Sequence, residues 1–250
     1  MTNIYGELCT EVYELSKPVG IAYSDVTYYA GRLKDTAGRV LEVGCGSGRV
    51  LIPLLQAGIQ AEGIDNSPAM LASCRNKCRE AGISPVLHEG DMSSFDLDAC
   101  YDAIIIPGGS IQLIETREHL VQALACYHKH LCNDGILVLD TFLQTDFSQH
   151  TTKTRVWEND AQELITLEEK RVEVDLIRQR VISLLKYEKW REGRLMQSEL
   201  QRLPLCWYGV EEFRLLLQDA GFRDVTIIGN YQSGSPPQDP NQMITYEAKK

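Results

Sequence analysis

The sequence predicts an α/β fold, a mainly parallel sheet with helices on both faces and an antiparallel β insertion after the fifth strand. Three observations predict it. Short apolar runs alternate with helix-patterned stretches between Val40 and Asp140, the rhythm of a sheet wound on both sides. Turn-forming or acidic residues close four successive apolar runs: Gly44 to Gly48, Asp65, Gly90-Asp91-Met92 and Pro107-Gly108-Gly109-Ser110. Beyond Thr141 extended runs separated by turn residues replace that rhythm.

Leu8, Val12 and Leu15 carry helical spacing over Tyr5 to Ser16, ended by Lys17-Pro18-Val19-Gly20, and a second helix is expected from Ser24 to Leu33. Val40–Val43 is the first strand and Arg49–Ala57 a helix. Ala61–Ile64 is the second strand, and Ser67-Pro68 opens a helix to about Ala81, proline suiting its first turn. Val86–His88 and Asp102–Ile106 follow as strands, Arg117–His130 as a helix and Ile136–Asp140 as the fifth strand. Arg155–Glu158, Leu164–Val174, Ile177–Trp190 and Leu195–Leu203 read as the insertion, although the broken alternation of Arg178 to Leu185 leaves helix open there. Val210–Ala220 is a helix closed by Gly221; Val225–Ile228 and Met243–Ala248 form a terminal hairpin around Ser233–Pro240. The expected organisation is an N-terminal helical lid (1–38), an α/β binding core (39–145), an antiparallel insertion serving as acceptor lid or oligomer contact (146–207), and a C-terminal helix and hairpin completing the core (208–250).

Composition narrows the function. With 250 residues, 44% hydrophobic and 24% charged, the chain supports one ample core. It has no apolar run long enough for a membrane span and no secretory start, so a cytoplasmic location is expected. The formal charge of −10 lacks the basic face that displaces counterions from nucleic acid. The basic residues between Arg171 and Arg194 are interleaved with acids, as on a solvated surface. A small-molecule partner is expected, with no nucleic acid and no membrane, in a monomer or a homodimer paired through the insertion. All eight cysteines are expected as free thiols; Cys74 and Cys78 lack further ligands for zinc.

The glycines at 44, 46 and 48 permit a sharp turn from strand into helix and leave main chain bare against a ligand. Asp65 suits a carboxylate accepting from two ribose hydroxyls, or else a cap for the Ser67 helix; Asp91 suits a reader of an exocyclic amine, or else a turn aspartate. Taken together, the four strand-end motifs resemble the class I S-adenosylmethionine-dependent methyltransferase family over roughly Arg39 to Phe142. The resemblance implies a Rossmann-like seven-stranded sheet, the cofactor S-adenosyl-L-methionine, the product S-adenosyl-L-homocysteine, and no metal. It places Gly44, Gly46 and Gly48 against the cofactor with Glu42 close by and Cys45 filling space in the loop. Asp65 would take the ribose, Asn66 and Met70 would flank the adenine, Asp91 and Met92 would read it, and Pro107 to Ser110 would pass beneath the methyl group.

Asn-Pro-Pro-Tyr, a Pro-Cys pair and an aspartate-rich metal pattern, marks of other branches, are absent. The remaining likeness is to the small-metabolite branch, including glycine-type and nucleotide-sugar N-methyltransferases. An aromatic N-terminal segment, the insertion, and Trp207 to Phe213 leading to Ala220-Gly221-Phe222 carry it. Sugar-amine members often carry an assisting histidine where this chain has Gln112, which orients but takes no proton at neutral pH. Gln112 and Tyr13 are the candidate catalytic residues, and Tyr5, Ser110, Arg202 and Tyr208 the candidates for the acceptor. Tyr13 and Tyr5 would act as lid residues, and Arg202 suits a carboxylate or phosphate. His119 reads as a helix-surface histidine and His88 as structural.

The expected reaction is methyl transfer to nitrogen or oxygen of a small metabolite. Its rivals are a nicotinamide-dependent oxidoreductase, which the GxGxG spacing disfavours, a noncatalytic binder of S-adenosylmethionine, and an RNA or protein methyltransferase, which the charge disfavours.

Overall fold

The computed structural model describes residues 5–250. Strands β1 (Val40–Val43), β2 (Ala61–Asp65), β3 (Val86–Glu89), β4 (Tyr101–Ile106) and β5 (Leu131–Phe142) are parallel, in the order β3-β2-β1-β4-β5. The sheet is completed by β11 (Met243–Lys249), antiparallel to β5, and β10 (Arg223–Gly229), antiparallel to β11. All four residues of β1 are buried, as befits a central parallel strand covered on both faces. The winding changes direction between β1 and β4, and that switch point opens a crevice at the carboxyl ends of the strands.

Helices α2 (Ser24–Leu33), α3 (Leu51–Gln56) and α4 (Pro68–Glu80) share one hydrophobic cluster on one side of the sheet. Helices α5 (Arg117–His130) and α6 (Val210–Asp219) share the other. Their starts follow local chemistry. The Ser67 hydroxyl accepts from Met70 N–H at 3.1 Å to cap α4, and the Thr116 hydroxyl accepts from His119 N–H at 3.2 Å to cap α5.

A second sheet, order β6-β7-β8-β9, consists of β6 (Thr152–Glu158), β7 (Leu164–Asp175), β8 (Arg180–Arg191) and β9 (Arg194–Cys206), all antiparallel. It forms as strand throughout, which closes the helical alternative. Asp175 Oδ1 accepts from the N–H groups of Ile177 and Arg178, and this turn delays β8 to Arg180. Helix α1 (Glu7–Ser16) packs on this sheet, Leu8, Cys9 and Val12 meeting Ile165, Leu167, Leu185 and Tyr187. The N-terminal helix and the insertion thus share a small core of their own.

The structure corrects two expectations away from the crevice. Cys100 and Cys132 form a disulfide, Cα atoms 5.2 Å apart, at the amino-terminal ends of β4 and β5; only Cys9, Cys45, Cys74, Cys78, Cys126 and Cys206 are free. Thirty-two residues separate the pair in sequence, so only strand pairing reveals it. Strand β5 also begins at Leu131 rather than Ile136, because Leu131 pairs with Tyr101 before an irregularity accommodates Asp134 at φ 62°. No helix among the described residues is long and apolar enough to cross a membrane.

Candidate active site

Two adjoining cavities occupy the crevice, a larger one of about 640 Å³ and a smaller one of about 170 Å³. Tyr5, Tyr13, Gly44, Gly46, Ser110 and Leu113 line both, so they form one continuous depression around the glycine loop. The loop leaves β1 at Val43, and the N–H groups of Gly44 and Cys45 donate to Ile64 O at 2.8 and 3.1 Å. Gly44 faces Ser110, whose Cβ would lie 3.4 Å from a side chain added there. Gly48 has a different task from the one expected. It lines neither cavity, and at φ 85° a Cβ on it would stand 2.7 Å from Cys74 Sγ, so its smallness lets α3 approach α4.

Asp65 stands on the wall of the larger cavity. Its Oδ2 accepts from Gly46 N–H and its Oδ1 from Ser67 N–H, both at 2.8 Å. Burial raises its carboxyl above the ordinary range, and these hydrogen bonds oppose that rise. A carboxylate has about four lone-pair sites, so the group retains acceptor capacity while staying fixed to the loop. The Ser67 hydroxyl rather than Asp65 caps α4; Asp65 holds the N–H of that cap residue and lines the cavity as well. Asp91 plays a similar double part: its Oδ1 accepts from Ser93 N–H and Ser93 Oγ at 2.7 and 2.6 Å in a turn that also lines the cavity. Asn66, Met70 and Met92 complete this wall, and Tyr127 donates to Met92 O at 2.9 Å.

The smaller cavity is bounded by Glu42, Cys45, Pro107 and Arg49, among others. Glu42 is 3% exposed and its Oε2 has no hydrogen-bond partner. Burial drives its carboxyl well above the ordinary range, with Arg49 pulling the other way. Such an orphaned oxygen beside a cavity is a place for a ligand donor. Burial likewise pushes the Cys45 thiol well up, which leaves it inert and in keeping with a space-filling role. Arg49, which the sequence reading passed over, is the junction of the site: it forms a bidentate pair with Asp25 of α2 at 3.0 and 2.5 Å and donates to Tyr13 Oη of α1 at 3.1 Å. Burial raises the Tyr13 hydroxyl against Arg49, so it keeps its proton. Ser110 Oγ donates to Pro107 O at 3.0 Å.

Three expected site residues are placed elsewhere. Gln112 is 1% exposed and lines neither cavity: its Nε2 donates to Phe142 O and Cys206 O at 3.0 and 2.7 Å, and its Oε1 accepts from Phe142 N–H at 2.8 Å. It clamps the ends of β5 and β9 together, and both of its N–H donors are spent in doing so. Arg202 is held by both oxygens of Glu115 at 2.6 and 2.8 Å, and Glu115 rather than Arg202 reaches the larger cavity. Tyr208 is core: it is 3% exposed, with the Arg117 guanidinium 4.3 Å from its ring centroid and Phe213 against its edge. Each of these side chains suits recognition chemically, and only tertiary contacts reveal that it is already engaged.

Sequence reasoning also missed Leu113 to Thr116, which extend the cavity wall toward the first turn of α5, and, over the smaller cavity, Phe142 at the end of β5 and Leu203 and Leu205 of the insertion. The Thr116 cap before an otherwise plain helix was the available signal for the first group; the second has none. His119 lies exposed at the rim of the larger cavity, both a helix-surface histidine and a wall residue. Among the described residues no group of three His, Cys, Asp or Glu side chains is placed to hold a metal ion.

Comparison with known proteins follows the same outline. A family profile described as a methyltransferase domain matches residues 40–135. The glycine/sarcosine N-methyltransferase of Aphanothece halophytica is 27% identical over 91% of this chain and 82% of its own length. An S-adenosylmethionine-dependent methyltransferase from Clostridium acetobutylicum superposes with a TM-score of 0.77 at 18% identity, covering 96% of both chains. CalS10, an amino pentose methyltransferase from Micromonospora echinaspora solved with S-adenosylmethionine, superposes with a TM-score of 0.70 at 20% identity over the whole of both chains. At such identities the superpositions speak for the shared fold. The profile match falls on the stretch that carries the strand-end residues, so over residues 40–135 the chain carries a methyltransferase domain.

Proposed function

We propose that this enzyme methylates a small metabolite, with nitrogen as the accepting atom. The observation that carries the reading is the distribution of acids along one continuous depression. Asp65, with spare acceptor capacity, stands at one side of Gly44–Gly46, and Glu42, with an unpartnered oxygen, stands at the other. That pattern fits a ligand with a diol at one end and an ammonium at the other, joined by a body lying on bare backbone. Asp65 would hold the ribose, Asn66, Met70, Asp91 and Met92 the adenine, and Glu42 with Gly44 and Gly46 the methionyl end.

When bound, S-adenosylmethionine supplies an already activated methyl group on a sulfonium sulfur. The chain therefore has to align and to exclude water rather than activate, and positioning of this kind is worth roughly 7–11 kcal/mol. Phe142, Leu203 and Leu205 wall the smaller cavity with apolar surface that keeps solvent out. Tyr13, holding its proton and anchored by Arg49, can orient an acceptor by hydrogen bonding, with Ser110 opposite. An amine that arrives neutral needs no strong base. The glycine/sarcosine and amino pentose enzymes it resembles support an amine acceptor.

Calorimetric titration with S-adenosylmethionine, S-adenosylhomocysteine and NADH tests the cofactor, and a screen of small amines for methyl transfer tests the reaction. Binding of the first two and methylation of an amine are expected. Preference for NADH would overturn the cofactor assignment; cofactor binding with transfer only to alcohols would overturn nitrogen.

A further inference from the structure

We propose that Asp140, which lines neither cavity, is the positioning residue for the floor loop Pro107–Ser110 on which acceptor and methyl donor would meet. The inference rests on the cofactor reading above and adds a residue to it. Asp140 lies near the carboxyl end of β5 and is fully buried. Three donors from three segments converge on it. Gly108 N–H and Tyr231 Oη donate to its Oδ2 at 2.8 and 3.0 Å, and Thr245 Oγ1 donates to its Oδ1 at 2.7 Å. The first comes from the floor loop, the second from the turn between β10 and β11, and the third from β11.

The floor loop needs such an anchor. Gly108 and Gly109 sit successively in the left-handed region, at φ 67° and 79°, outside any regular ladder. Strand β5 supplies the rest of the mould. Its Phe142 ring would lie 2.8 Å from a Cβ on Gly109, and the Phe142 backbone is gripped by Gln112 at the far end of the loop. The loop that faces the acceptor is thus held by Asp140 and Gln112, which line neither cavity, with the Phe142 ring packed against it.

An ionised carboxylate holds all three donors with charge-assisted hydrogen bonds, whereas protonation turns one oxygen into a hydroxyl, a donor and a poorer acceptor. Burial pushes Asp140 up to about 6 in spite of these hydrogen bonds. The anchor is therefore strongest at neutral pH and weakens in mild acid. The groups facing it are Tyr231 and, from α2, Tyr29, both held protonated by burial, with the Asp25–Arg49 pair beyond Tyr231.

The test is calorimetric titration of the whole protein with S-adenosylmethionine at pH 7.5 and 5.5, for wild type, Asp140→Asn and Tyr231→Phe. Asp140→Asn is expected to bind at least fivefold more weakly at pH 7.5 and to lose part of the wild-type pH dependence. The part that remains belongs to other ionisable groups of the cavity, Asp65 and Glu42 among them. Tyr231→Phe removes one donor and is expected to move the acid loss of affinity to higher pH. An Asp140→Asn protein with wild-type affinity and wild-type pH profile would overturn the assignment. Should that variant fail to fold, an unmoved profile in Tyr231→Phe overturns it instead. A wild type that binds no S-adenosylmethionine at either pH would sink the cofactor reading, and the inference with it. Intact binding with an indifferent Asp140→Asn sinks the inference alone.

Discussion

Replacing Arg49 by methionine keeps the length of the side chain and removes the charge that joins both N-terminal helices to the glycine loop. Both partners of its pair with Asp25 are nearly enclosed, with side chains 10% and 11% exposed. In the variant the Asp25 carboxylate keeps only the N–H of Val26, at 2.8 Å, and Tyr13 loses the donor to its hydroxyl. Removing one partner of a buried pair leaves the other charge uncompensated, at a cost of about 3–5 kcal/mol. A domain of this size shifts its melting temperature by roughly 2–4 °C per kcal/mol, so a fall of roughly 6–20 °C is expected. Differential scanning calorimetry at pH 7 measures it, with Asp25→Leu and the double variant alongside. Because a buried pair replaced by apolar groups is often nearly neutral, the double variant is expected to recover most of the loss. A single-variant fall of under 2 °C, or a double variant as unstable as the two losses added, would refute this account of the network.

Asp65→Ala is expected to weaken S-adenosylhomocysteine binding about a hundredfold or more, since two charge-assisted hydrogen bonds are each worth about 1.5–3 kcal/mol; calorimetry that finds less than a fivefold change would place the ribose elsewhere. Gln112→Leu leaves the Phe142 and Cys206 backbone groups unpaired and is expected to cost about 3 kcal/mol or more in urea unfolding, whereas a catalytic glutamine would lower turnover at unchanged stability. Cys100→Ser is expected to cost about 2–4 kcal/mol and leave cofactor affinity unchanged, because the disulfide lies at the opposite end of the sheet; a loss of affinity at equal folding would contradict that. Glu42 binds its proton more tightly folded than unfolded, so its contribution to stability declines as pH rises above the ordinary carboxylate range. Glu42→Gln is accordingly expected to raise the melting temperature of the free protein more at pH 8 than at pH 5, and an equal effect at both would refute a proton-holding Glu42.

Much of the core was legible because its signals are local. An apolar run that must be buried on both faces reads as β1, and serine before proline reads as the start of α4, whatever surrounds them. The wall of the larger cavity was legible for the same reason: residues that close strands, such as Gly44, Asp65 and Asp91, line the crevice that opens at the strand ends. Gly48 shows the limit, since its position in the motif matched while its neighbour proved to be Cys74. The acceptor side was poorly legible. Arg202 and Tyr208 have the chemistry of a binding site, but Glu115 and Arg117 already engage them.

By itself the sequence determined the winding of the sheet, the glycine turn and the acids beside it, because hydrophobic period, capping and turn chemistry act within a few residues. Only the tertiary structure decided that Gln112 is a clamp, that Cys100 meets Cys132, that Arg49 ties both N-terminal helices to the loop, and that Asp140 anchors the cavity floor. Each of those depends on groups distant in sequence meeting in a medium where a buried polar atom must find a partner, and the chain order alone does not say which partner is near.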